Sequence, residues 1–272
     1  MAPSALASAW TLDPLVLAAA AVAAVLFARG FIRLRRRGRR DHAGWSRALL
    51  FAAGLALMTL PLVSPLDAAA DDFLLSAHML EHVLIGDAGP ALVLLAIRGP
   101  LLAFVVPAAA IRFTGRHAAF GRLNRPAVAV SVWVVGLAAW HVPAAYDAAL
   151  RHPWLHVLEH ATFVGAGFLL WSLLIDPARR GRLSTGGRAA LAGVIFMLGQ
   201  ALAGVLLLSP VALYPFYADK TVRLFGIAPL ADQQYAALLM MAEQFLTLGA
   251  FLLLLGASVL RIAERPRLMV PA

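Results

Sequence analysis

The sequence predicts an all-α, polytopic membrane protein with seven transmembrane helices, on the evidence of its composition and the placement of its basic residues. Of the 272 residues, 62% are hydrophobic and only 14% are charged, whereas soluble chains are about one-quarter charged. One soluble core cannot bury that much apolar surface, and a disordered chain would not carry it. The absence of cysteine excludes a disulfide scaffold and a thiolate metal site.

Seven apolar segments approach the length of a membrane-spanning helix, which needs about 20 mostly apolar residues. We predict transmembrane helices near residues 12–32, 48–64, 73–97, 126–140, 154–175, 189–209 and 233–260. An eighth apolar segment, residues 99–111, is shorter and contains Pro100 and Pro107. It is therefore predicted to be a re-entrant or surface-lying piece.

The placement of lysine and arginine predicts which way the helices cross. Loops 29–47, 98–125 and 179–188 and the tail after residue 260 hold eight, five, four and three of the 23 basic residues. Because cytoplasmic loops carry the excess of positive charge, the N-terminus is predicted outside and the C-terminus inside. The basic loops then determine topology and do not form a nucleic-acid site. Residues 1–272 are predicted to form a single integral membrane domain in the inner (cytoplasmic) membrane.

One short pattern occurs twice. Residues 78–82 and 156–160 both read H-x-x-E-H, on the third and fifth predicted helices. Positions i, i+3 and i+4 share one face of a helix, so each motif projects two imidazoles and a carboxylate together. A further histidine ends the fourth predicted helix, which runs the opposite way and reaches the same outer level. We expect five histidines to meet on the side facing the periplasm or outside: His78, His82, His141, His156 and His160.

Clustered imidazoles inside a membrane predict a metal site, because polar groups are expensive there and histidine is the commonest metal ligand. Copper and zinc both suit imidazole, copper binds more tightly in the Irving–Williams order, and Cu(I) also accepts thioether sulfur. We therefore predict copper, as Cu(I) or Cu(II), with zinc as the alternative. Further candidates, as ligands or as groups that orient a ligand imidazole, are Glu81, Glu159, Met79, Met240 and Met241.

Several motifs in one order resemble the CtaG-type family of cytochrome c oxidase assembly factors, membrane proteins associated with caa(3)-type oxidases. The resemblance covers roughly residues 72–255. Besides the two H-x-x-E-H motifs it rests on Trp140-His141-Val-Pro143, Tyr146-Asp147, Leu213-Tyr214, Tyr217 and Asp232-Gln233. It implies a non-enzymatic role in maturing a haem–copper oxidase, as a metallochaperone that holds or delivers copper at the outer face of the membrane. The implied partners are cytochrome c oxidase subunits, and the implied signature residues are Tyr146, Asp147, Asp232 and Gln233.

Three other functions stay open on the sequence alone. An intramembrane zinc hydrolase would use one H-x-x-E-H motif, with Glu81 or Glu159 as general base. A haem-binding electron carrier would use two histidines as axial ligands, and a scaffold for oxidase subunits would need no metal. The second copy of the motif disfavours the hydrolase, and five histidines exceed what one haem uses. The sequence does not determine whether the protein forms a homodimer.

Overall fold

The protein is described here from a computed structural model, which covers residues 3–107, 109, 112, 113, 116, 117, 121, 122 and 125–264. Every regular element in these residues is helical, so the predicted all-α class is confirmed. The helices are α1 (Pro14–Arg36), α2 (Trp45–Thr59), α3 (Pro65–Asp72), α4 (Leu75–Val83), α5 (Gly89–Ile97), α6 (Pro100–Val105), α7 (Pro126–Trp140), α8 (Pro143–Arg151), α9 (Pro153–Ile175), α10 (Thr185–Leu208), α11 (Pro215–Ala218) and α12 (Pro229–Glu264).

Most of these helices begin at a proline, which lacks the N–H that a first helical turn leaves unpaired. At some helices, the side chain that precedes the first turn accepts hydrogen bonds from the unpaired backbone N–H groups. Asp13 accepts from the backbone N–H groups of Leu15 and Val16 at 2.7 and 3.0 Å. Ser64 and Ser184 cap α3 and α10 in the same way. Local sequence therefore fixes where many of the helices begin.

Five segments are long and apolar enough to cross a membrane, and they correspond to five of the predicted spans. They are Pro14–Arg36, Leu75–Ile97, Pro153–Ile175, Thr185–Leu208 and Pro229–Leu260. Helices α7 and α8 pass the same test together but are bent by 78°, and they make a sixth span if the pair is counted as one. Helix α2, which overlaps predicted span 48–64, has only 15 residues. Seven crossings therefore stay a prediction, as does the orientation of the termini.

A π-helical turn, Leu84–Ala88, joins α4 to α5 within one span, directly below the first H-x-x-E-H motif. Its cause is Pro90, which has no N–H to donate to the Gly86 carbonyl one turn back. Helix α9 packs closely here, and a Cβ atom at Gly167 would overlap the Gly86 carbonyl oxygen. The absence of a side chain at Gly167 thus lets the two motif-bearing spans come together.

Two of the three hydrophobic clusters among the described residues hold the long helices together. One lies toward the ends of α1, α5 and α9 that are far from the motifs, and its Phe27 and Phe51 rings stack with centroids 4.0 Å apart. The other surrounds the first motif and includes Met79, Tyr146 and Tyr217. The motifs therefore lie in a packed part of the protein.

The short predicted segment 99–111 contains α6, which packs against α1. Gly99 adopts a φ of 74° before this helix, a conformation that favours glycine. Residues 108, 110 and 111 lie outside the described part of the chain. Whether the segment is re-entrant or surface-lying stays a prediction.

Candidate metal centre

Four histidines from α4 and α9 meet in one group, and this confirms that the two motifs face each other. One ligand atom from each of His78, His82, His156 and His160 lies within 4.8 Å of all the others. The rings pair in register, since the centroids of His78 and His156, and those of His82 and His160, are both 5.1 Å apart. The two helices therefore run in the same direction past the site.

The spacing of the nitrogens suits a tetrahedral ion. The Nε2 atoms of His78 and His156 are 3.3 Å apart. Metal–imidazole bonds of about 2.0–2.1 Å at a tetrahedral angle separate two nitrogens by about 3.3 Å. This pair is thus already at the distance at which both could bind one ion, and ligand atoms of the other two histidines lie within 4.8 Å of it.

The glutamate of each motif lies close to a histidine of the other motif. An Oε1 atom of Glu159 lies 3.9 Å from Nε2 of His82, and an Oε1 atom of Glu81 lies 3.6 Å from Nε2 of His160. Both carboxyl groups are fully buried, and their oxygens have no hydrogen-bond partner among the described residues. Each glutamate therefore faces the second histidine of the other motif, where it can balance the charge of a bound cation.

The hydrogen bonds of His78 determine which of its nitrogens is free for a metal. The Tyr217 hydroxyl donates to the carbonyl oxygen of Ala70 at 2.6 Å, so it accepts from Nδ1 of His78 at 3.0 Å. With the proton on Nδ1, the lone pair of Nε2 faces the other histidines. Partners of this kind commonly orient metal-binding imidazoles. Sequence reasoning gave Tyr217 no such role.

His141, the fifth predicted ligand, lies outside the group of four. Its Nδ1 donates to the Leu137 carbonyl oxygen one turn back on α7, at 2.8 Å. The Phe163 ring lies near both His141 and His82, with centroid distances of 6.4 and 4.6 Å. The buried Nε2 of His141 has no partner among the described residues. This histidine reaches the level of the site but is separated from the other four.

His141 lines a cavity of about 70 Å³ that also touches the four-histidine group through His82. Met79 and Met240 contribute to its wall, whereas Met241 does not. The acidic side chains of Asp87 and Glu243 line the same cavity. Three of the candidate residues outside the four-histidine group therefore share one space beside it.

A second, larger cavity of about 400 Å³ reaches His156 and His160 from the side of α1 and α3. Asp13 and Asp67 line it. Burial raises the pKa of Asp67 to about 7, with smaller contributions from the charges of Asp71 and Asp13. An Oδ1 atom of Asp71 lies 3.7 Å from Nε2 of His156. The sequence analysis gave no role to Asp67 and Asp71, although their position directly before the first motif was a usable signal.

The signature aspartate in the first turn of the last helix positions the first motif. Asp232 is buried and accepts hydrogen bonds from the backbone N–H groups of Leu75 and Ser76, at 2.7 and 3.1 Å, and from the Ser76 hydroxyl at 2.5 Å. These backbone groups belong to the first turn of α4, where intrahelical partners are missing. Asp232 therefore caps, from α12, the helix that carries His78 and His82.

The other signature residues hold the surrounding loops. Gln233 accepts from the Leu213 N–H at 2.7 Å and donates to the Leu206 carbonyl oxygen at 2.9 Å. Asp147 accepts from the Phe216 N–H at 3.1 Å. The Tyr146 ring packs 5.2 Å from that of His78. These residues support the site, and none of them belongs to the four-histidine group.

A family of known proteins matches a region of this chain that contains the four-histidine group. A family model described as cytochrome c oxidase caa3 assembly factor (Caa3_CtaG) matches residues 25–261. The chain is 31% identical over 198 residues to the uncharacterized proteins Mb0105 of Mycobacterium bovis and MT0111 of Mycobacterium tuberculosis. The aligned region covers 67% of this chain but only 29% of each relative, so the chain spans under a third of their length. No solved structure matches.

Proposed function

Because the chain belongs to the family of cytochrome c oxidase caa3 assembly factors, we propose that it binds copper through its histidines and holds or delivers this ion for a haem–copper oxidase. The observation that carries the proposal is the group formed by His78, His82, His156 and His160. Copper is here the cargo of the protein, and the oxidase subunits are its partners. The protein itself catalyses no reaction in this account.

Unpaired buried nitrogens support a cation at this place. Neither ring nitrogen of His82 has a hydrogen-bond partner among the described residues, and the same holds for Nε2 of His160. An unsatisfied buried polar atom costs about 1–3 kcal/mol, so several of them together need an explanation. A bound ion would engage these nitrogens and the two buried glutamates at once.

The ligand types favour copper over zinc. The chain has no cysteine, which removes the thiolates that dominate structural zinc sites. Imidazole ligands bind copper more tightly than zinc, and thioethers add affinity only for soft ions such as Cu(I). Met79 and Met240 border the cavity next to His82. Zinc remains the alternative ion.

We further propose that the chain is one membrane domain with seven crossings and that the site faces outward from the inner membrane. In this topology α2 and α7, with 15 residues each, are short crossings. Each is about 22 Å long at 1.5 Å per residue, so their flanking turns complete the passage. The basic loops between the spans then lie in the cytoplasm.

An intramembrane zinc hydrolase fits the geometry less well. Such an enzyme needs three ligands, one open position for water and a glutamate beside that water. In this protein four imidazoles converge, and each glutamate faces a histidine of the other motif. A scaffold without metal would leave the buried nitrogens unexplained.

A copper titration of the purified full chain against a competing chelator tests the proposal. We expect the double variant His78→Ala/His160→Ala to lose the four-histidine copper, while His152→Ala, a change of an exposed histidine, retains it. Retention of that copper by the double variant would contradict the proposal. Stoichiometric zinc in protein isolated from its own membrane would show that the bound ion is zinc and not copper. Substrate cleavage that depends on Glu81 or Glu159 would favour the hydrolase.

A further inference from the structure

We propose a second ion position, selective for soft monovalent metal ions, in the cavity beside the four-histidine group. Its ligands are Met79, His141 and Met240, with His82 connecting it to the first position. This proposal rests on the proposed copper function and extends it. A Cu(I) ion would pass between two adjacent positions inside the protein, one made of imidazoles and one containing thioethers.

His141 supplies the first argument. It is only 8% exposed, and it lines the cavity. Its Nδ1–H is held by the Leu137 carbonyl oxygen, so the proton sits on Nδ1 and the lone pair on Nε2. That Nε2 atom is buried without a partner among the described residues. The ring is therefore fixed in the tautomer that a metal ligand needs, away from the four-histidine group.

His82 connects the two positions. It is a member of the four-histidine group and also lines the cavity. Both of its ring nitrogens are buried and lack hydrogen-bond partners among the described residues. An imidazole at the boundary of two sites can bind an ion on either side, so an ion can change position without entering lipid.

The thioethers define the chemistry of the second position. Met79 is 1% exposed and Met240 is 8% exposed, and they reach the cavity from two different helices, α4 and α12. Sulfur of this kind binds Cu(I) and Ag(I) well and binds Zn²⁺ poorly. The cavity volume, about 70 Å³, exceeds the roughly 15 Å³ that one water-sized occupant needs.

Two acids in the same cavity supply the opposite charge. Asp87 and Glu243 both line it. The carboxyl groups of Asp87 and Glu243 hydrogen-bond to each other, and Asp87 also accepts from the Trp171 indole N–H and, at 3.5 Å, from the Thr247 hydroxyl. A buried cation needs such compensation, because an isolated charge in the membrane interior is costly. One ionised carboxyl group suffices for a monovalent ion.

Counting bound ions tests the proposal. The full chain, purified in detergent, is loaded with Ag(I), or with Cu(I) under argon, washed with a competing chelator and analysed for metal per chain. We expect two ions in the wild type, one in Met79→Leu/Met240→Leu, and one in His78→Ala/His160→Ala. Met197→Leu, a change of a methionine that is 65% exposed, is the matched control and should keep two. Zn²⁺ should give one ion in the wild type.

X-ray absorption of the copper-loaded wild type provides a measurement that needs no variant. We expect sulfur as well as nitrogen scattering around copper, and the loss of sulfur scattering in Met79→Leu/Met240→Leu. One ion with nitrogen scattering only would overturn the second position and leave the proposed function intact. No ion in the wild type would overturn both. Two ions with unchanged sulfur scattering in the methionine variant would overturn this ligand assignment.

Discussion

Replacing Asp232 by alanine should damage the site from a distance, because this residue caps the helix that carries the first motif. The buried carboxylate accepts two backbone hydrogen bonds from Leu75 and Ser76 and one from the Ser76 hydroxyl. Hydrogen bonds to a charged group contribute about 1.5–3 kcal/mol each. Loss of the two backbone bonds should therefore lower the free energy of unfolding by about 3–6 kcal/mol. Asp232→Asn retains one carbonyl acceptor and should lose about half as much.

The assay is reversible unfolding in mixed micelles, followed by circular dichroism, together with chelator competition for copper. Because α4 positions His78 and His82, we expect the copper affinity of Asp232→Ala to fall by about 10–100-fold, the range found for groups that orient metal ligands. Asp219→Ala removes an exposed carboxylate from a nearby loop and should change neither quantity. Wild-type stability and wild-type copper affinity in Asp232→Ala would refute the capping argument.

Three further changes test other parts of the site. Tyr217→Phe removes the acceptor that holds Nδ1 of His78, so copper affinity should fall by about tenfold while the protein stays folded. Gly167→Ala forces α9 away from the π-helical turn and should cost about 1–3 kcal/mol of stability, whereas Gly165→Ala, which faces open space, should not. Asp67 has a pKa raised to about 7 by burial, so its carboxylate attracts cations only as the pH rises through this value. Copper uptake should thus be faster in the wild type than in Asp67→Asn above about pH 7, and equal below about pH 6.

A specific result would contradict each of these three predictions. Unchanged copper affinity in Tyr217→Phe would show that the tyrosine does not orient the histidine. Equal stability of the two glycine variants would contradict the close approach of α9. A ratio of uptake rates that does not vary with pH would remove Asp67 from the path of the ion.

The sequence predicted those helices of the fold that consist of long, mainly apolar segments. Five long spans follow from mainly apolar runs, and the structure has helical segments of suitable length and composition at these places. Helix α2 has only 15 residues, since Pro61 follows two residues after its last residue. The 78° bend between α7 and α8 follows from Pro143, but the angle depends on packing against α9 and α11, which sequence spacing does not describe.

The site was predictable where one helix face determines it. Spacing within each H-x-x-E-H motif placed two imidazoles together, and equal depth on two spans brought the pairs into contact. Depth alone predicted that His141 would join the other four histidines, but the structure places it outside their group, with Phe163 near both His141 and His82. The role of Tyr217 depends on a contact between distant segments, so no local pattern indicated it.

The most direct test of the account is elemental analysis of the protein purified from its own membrane, with and without the four histidines at positions 78, 82, 156 and 160. The account predicts bound copper in the wild type and loss of the copper that these imidazoles hold in the fourfold alanine variant, at wild-type helical content. An unchanged copper content in that variant would contradict it.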